Sequence, residues 1–151
     1  MADKELIRTS ISLQPGIWER LQNIYTSGKA GSAYLFSGPS GCGKEAIAIA
    51  ESALSDTMKF VKVDKTEIEI KNFLIQQLYN YGAEGIAFDP IVLASDNSAL
   101  PHGHSRKDYK IKKGDCLLFD FGAIVDGYNS DITRTFFIES VSEEYKNIYQ
   151  A

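Results

Sequence analysis

Cysteine is nearly absent. The chain has two thiols, Cys42 and Cys116, in unlike local contexts, which excludes a disulfide framework or a cysteine metal knuckle and agrees with a reducing cytosol. Positive charge is in deficit as well. Lys and Arg number 16 against 20 Asp and Glu, a net charge of −4, so no broad basic surface is offered to nucleic acid. No apolar run approaches the roughly 20 residues of a membrane span, and Met1-Ala-Asp-Lys-Glu-Leu lacks the apolar core of a signal peptide. A cytoplasmic protein with no membrane attachment is the expectation. There is no internal repeat and no low-complexity tract. With 151 residues, 44% of them hydrophobic and 24% charged, the chain suits one globular domain or two small ones.

The most informative stretch runs from Leu117 to Ile138. Two β-prone runs flank Asp126-Gly127, and Asp-Gly in that setting signals a two-residue hairpin turn. Position 125 then faces 128, Asp120 faces Thr133 and Asp131 faces Gly122. One face carries Leu117, Phe119, Phe121, Ala123, Val125, Tyr128, Ile132, Phe136 and Ile138 and must pack on something. The other carries Asp120, Gly122, Asn129, Asp131, Thr133 and Thr135. The two aspartates become diagonal neighbours, with Cα atoms about 7–8 Å apart, within reach of a shared ligand. Two carboxylates with no basic residue between them repel each other, and a hard divalent cation relieves that. A solvated polar sheet face is the alternative, made less attractive by the position of Asp120 inside an apolar run.

Asp120-Phe-Gly-Ala followed by Asp126-Gly-Tyr-Asn-Ser-Asp131-Ile-Thr-Arg-Thr-Phe resembles the first metal-ligand hairpin of the pita-bread metallopeptidases, the creatinase/methionine aminopeptidase superfamily, and within it the Xaa-Pro branch of aminopeptidase P and prolidase. The resemblance extends over about residues 51–151. It implies that Asp120 and Asp131 help hold two metal ions (Mn, Co, Zn or Mg), whose bridging water attacks a peptide carbonyl. It also implies that His102 contacts substrate and handles protons; an idle loop histidine is the alternative. His104 has no counterpart. The implied fold is α+β, with helices packed on a curved antiparallel sheet, and only half of a pita-bread.

The amino third reads differently. Ile17, Trp18, Leu21, Ile24 and Tyr25 recur at helical spacing up to about Ser27, and Ala33–Ser37 is a short strand candidate. It runs into Gly38-Pro-Ser-Gly41-Cys-Gly43-Lys44, which fits the opening of a P-loop and so a site for ATP phosphates at Gly38, Gly41, Gly43 and Lys44. Glu45 departs from the pattern, because the position needs Ser or Thr for Mg²⁺ and a carboxylate there repels phosphate. A glycine-rich turn that binds nothing is the alternative. Ile17 to Ala50 resembles the start of a bacterial DNA polymerase III delta-prime clamp-loader subunit of the AAA+ class. The organisation expected is therefore a chimaera: a helix–strand–P-loop–helix fragment over 1–50, a half pita-bread over 51–151, and a junction within one helix between about Ala46 and Leu54.

Between the motifs, Thr66-Glu-Ile-Glu69 is a capping box opening a helix through about Tyr81, with Ile68, Ile70, Phe73, Leu74, Leu78 and Tyr79 as its apolar stripe and Gly82 as its stop. Gly85 to Ser95 reads as one strand, Asn97 to Gly103 as loop, Lys107 to Lys113 as a charged connector, and Ser142 onward as a helix. The family pattern also asks for a histidine and two glutamates downstream of Asp131. Both histidines precede Asp120. Two carboxylates alone hold a cation weakly, so the chain is expected to bind metal without peptidase turnover, and to act on peptide only if completed by a missing half. An open sheet edge and bare apolar face invite self-association. Two rival readings remain: an ATP-binding protein in which Cys116–Asp120 is a Walker-B-like strand, and an inert scaffold that self-associates.

Overall fold

The computed structural model describes residues Gly43–Gln150, together with Glu19. Apart from Glu19, the predicted helix at 17–27 lies outside the described residues, as do the strand at 33–37, Cys42 and the motif glycines Gly38 and Gly41. The chain divides into two units, 1–37 and 38–151, and the description below concerns the second.

Helix α1 spans Lys44–Phe60. It starts at Gly43, whose φ of +79° is a left-handed backbone conformation that suits glycine, and it runs without a break through the predicted junction. Its small residues Ala46, Ala50 and Ala53 are buried with Leu54 and Thr57, so α1 packs closely through short side chains. The second helix, α2, spans Glu67–Asn80 behind the expected capping box. The Glu69 amide donates to Thr66 Oγ1 at 3.3 Å, and the Thr66 amide donates to Glu69 Oε2 at 2.8 Å. It stops at Gly82, whose φ is +100°, with the Ala83 amide donating to the Leu78 carbonyl. Phe60 and Phe73 stack with ring centroids 4.1 Å apart.

Two antiparallel ladders follow. One has the order β2–β3–β6, from Ile91–Ala94, Cys116–Phe121 and Ile132–Phe137; the other has the order β1–β4–β5, from Gly85–Ile86, Ala123–Val125 and Tyr128–Asn129. The predicted single strand from Gly85 to Ser95 is instead two, and its halves belong to different ladders. Buried Pro90 sits at the break, since it has no N–H to give a ladder. The remaining excursion between β2 and β3 opens with a 3-10 turn, Ser95–Ala99, and its charged connector is anchored by fully buried Ile111. A last helix, α3, spans Glu143–Gln150.

The core lies between the helices and the inner face of the sheets. Ile70, Leu74 and Leu78 of α2 meet Phe119, Phe121 and Val92, all fully buried, together with Ala53 and Leu54 of α1. Tyr79, expected on the stripe, is half exposed, and Glu67 is buried in line with it. Phe119 meets Phe136 edge-on at 5.9 Å, and Arg134 of β6 pairs with Glu51 of α1. No helix among the described residues is long and apolar enough to cross a membrane.

Candidate functional site

The hairpin has the register that its turn chemistry predicts. Val125 pairs with Tyr128, Phe121 with Ile132, Asp120 with Thr133 and Cys116 with Phe137. Asp126 and Gly127 both have positive φ, +50° and +76°, as the two-residue turn of this kind requires. The ladder is interrupted once, at Gly122, where the strands pass so closely that a Cβ would lie 1.8 Å from the Ser130 carbonyl oxygen. Ser130 is buried there, its hydroxyl accepting the Ala123 amide at 2.9 Å. Tyr128, expected on the packing face, is exposed at the turn.

Alternation along β3 buries Leu117, Phe119 and Phe121 and turns Leu118 and Asp120 to the opposite face. Asp120 is half buried, and its Oδ1 accepts the Thr133 hydroxyl at 3.0 Å. These residues form one wall of an open cleft of about 380 Å³. The cleft is also lined by Leu100, Pro101 and His102 from the β2–β3 excursion and by Ile91, the β2 partner of Asp120. His102 and Asp120, remote in sequence, therefore share a cleft. Asp131 is exposed and sits just before β6, two residues from the Thr133 that pairs with Asp120; it is not part of the cleft wall. His104 is exposed, and its carbonyl accepts the Asn97 side chain at 3.1 Å.

The excursion is held by groups that no motif flagged. Glu67, in the first turn of α2, is fully buried and accepts the Ala94 amide, the Asn97 side-chain amide, the Arg106 amide and the Arg106 guanidinium. Hydrogen bonding to Glu67 raises the Arg106 guanidinium above its ordinary value, against the opposing effect of burial. The signal available in the sequence was spacing. Glu67 falls on the same helical face as Ile70, Leu74 and Leu78, and a carboxylate on a core face must have partners.

At the other candidate site, Gly43 is the left-handed residue before α1 and Lys44 is the first residue of the helix. Glu45 is exposed in the first turn. The strand read as Walker-B-like, β3, is antiparallel to both of its neighbours, whereas doubly wound nucleotide-binding sheets are mostly parallel.

Asp120 on β3 and Asp131 just ahead of β6 are hard oxygen donors of the sort a divalent cation takes. Among the described residues no three His, Cys, Asp or Glu side chains group into a cage for a metal ion.

An uncharacterized peptidase of Bacillus subtilis is 40% identical over 107 residues, covering 71% of this chain and 30% of that protein. An Xaa-Pro dipeptidase of Pyrococcus furiosus is 36% identical over 107 residues, with the same coverage. The crystal structure of an X-Pro aminopeptidase from Thermotoga maritima superposes with a TM-score of 0.68 at 40% identity, over 71% of this chain and 30% of that one. The chain thus spans about a third of the length of these relatives. The family match reaches back to residue 41, inside the glycine-rich motif, and includes the hairpin, the cleft and both helices that support them: over residues 41–151 the chain belongs to metallopeptidase family M24.

Proposed function

We propose that the chain carries the carboxylate part of a dinuclear metal centre of the Xaa-Pro peptidase type, and that by itself it binds a divalent cation without turning over peptide. Asp120 and Asp131 are the metal ligands, and His102 is the group that meets substrate. The observation that supports this most is that His102 and Asp120 line one cleft, beside a hairpin in which Asp131 precedes β6 and lies two residues from the Thr133 that pairs with Asp120. A metal bound there supplies Lewis acidity and an activated water. The chain's own residues do the rest. Thr133 orients the Asp120 carboxylate, Leu118, Ile91 and Leu100 give the cleft an apolar lining, and His102 is placed to hold or pass a proton at the substrate. The relatives' names, dipeptidase and aminopeptidase acting at Xaa-Pro, suggest the substrate class once further ligands complete the site.

Residues 1–50 are read as of separate origin, from a delta-prime-like P-loop protein. The division of the chain near residue 38 favours a two-part chain, although the family match overlaps the motif. ATP binding is not part of this reading, given Glu45 and the antiparallel β3. The edge of β6 that faces away from β3 has no partner among the described strands, and self-association through it belongs to the proposal.

Calorimetric titration of the full chain with Mn²⁺ tests the metal claim. Binding is expected in the wild type and lost in Asp120→Asn and in Asp131→Asn. Equal binding in all three would refute the assignment. An Xaa-Pro dipeptide incubated with chain and Mn²⁺ should show no hydrolysis above the metal blank, and turnover would refute the second half of the proposal.

A further inference from the structure

We propose that Glu67 is the positioning residue that sets His102 against Asp120. The inference deepens the reading of the cleft just given and rests on it. His102 rides on the first part of the β2–β3 excursion, between Ala94 and Arg106. Glu67 binds both ends of it. Its Oε1 accepts the Ala94 amide at 2.7 Å and Arg106 Nη2 at 2.9 Å; its Oε2 accepts the Arg106 amide at 2.6 Å and Asn97 Nδ2 at 2.9 Å. Arg106 closes the ring by donating to the Ala94 carbonyl at 2.8 Å, and its guanidinium lies 4.0 Å above the Tyr109 ring.

A buried ion pair adds little net stability compared with an apolar replacement, and in some proteins such a group serves to specify one arrangement. What is specified here is a strained residue. His102 has φ +53°, a left-handed conformation that persists in a non-glycine residue only when its surroundings fix it. Two further contacts press the excursion onto β2: Ser105 Oγ donates to the Val92 carbonyl at 2.9 Å, and Gly103 passes so near Leu93 that a Cβ would lie 2.9 Å from its Cδ1. A glutamine at position 67 keeps the shape but presents an N–H₂ to a ring of donors, so one end of the excursion is released.

The test is the set of nuclear Overhauser contacts from the His102 ring to the Leu118 and Thr133 methyl groups in the isotope-labelled full chain. They are expected in the wild type and lost in Glu67→Gln, while the cross-strand contacts of Phe119 with Phe136 persist. A role in stability alone would lower the melting temperature and leave the His102 contacts as they are, and that result overturns the proposal, as does their absence from the wild type. Asn97→Ala removes the donor shared by Glu67 and the His104 carbonyl and leaves the ion pair, so it serves if Glu67→Gln does not fold; unweakened His102 contacts in it are equally fatal. Mn²⁺ affinity of Glu67→Gln should stay within about twofold of wild type, as for sites without shared partners. A wild type that fails to bind Mn²⁺ defeats the metal reading, and the His102 contacts still decide the positioning claim.

Discussion

At Gly122 there is no room for a side chain, because the Ser130 carbonyl oxygen occupies the place of a Cβ. The obstacle is backbone, which cannot rotate aside. Gly122→Ala should therefore cost about 3 kcal/mol or more, read from the shift of a urea midpoint, and it should weaken metal binding because Asp120 and Asp131 flank the close approach. A loss below about 1 kcal/mol would show that the two strands are not held together there. Glu67 is a second such position. Glu67→Ala takes the acceptor from the Ala94 and Arg106 amides and from the Asn97 side chain, while the Arg106 guanidinium keeps the Ala94 carbonyl and Asp96, and the expected loss is about 3 kcal/mol from buried donors left unsatisfied. The same urea titration checks it.

Among the elements, the α2 start and the hairpin turn are where local chemistry can be tested. The Glu69 carboxyl is held below its ordinary value of 4.5, first by the Thr66 backbone amide and then by the Thr66 hydroxyl. A depressed folded value means that the capping contribution is complete above the unfolded value and is lost as pH falls through the folded one. Glu69→Ala should accordingly lower the melting temperature at pH 7, and by progressively less as the pH falls below the ordinary carboxyl value; a pH-independent difference would contradict the cap. Gly127→Ala places a Cβ at a φ of +76° and should cost about 1–2 kcal/mol, again by urea titration. Both features were legible before any coordinates, because Thr66-x-x-Glu69 and Asp126-Gly127 act over a few residues. The break of the 85–95 strand at Pro90 had its signal too, but the apolar run on either side outweighed it. The Glu67 clamp was hidden for another reason: its partners Ala94, Asn97 and Arg106 lie 27 to 39 positions away, and nothing in a linear pattern names them.

Over the described residues of the second unit, two helices cover one face of the antiparallel ladders and leave the other face to a cleft, which is why a chain this short can still line one cleft with an imidazole and a carboxylate. That layering followed from the hairpin's two unlike faces and the helical stripes, whereas the seating of His102 in the cleft depended on how the excursion folds back. The chain spans about a third of the length of its relatives, and the central proposal for it is the metal site at Asp120 and Asp131. Paramagnetic broadening by Mn²⁺ tests it most directly. If the account holds, substoichiometric Mn²⁺ broadens the resonances of Asp120, Asp131 and the His102 ring together and leaves Gly43 and Lys44 sharp. Broadening that avoids the hairpin, or that reaches Asp131 without His102, would contradict it.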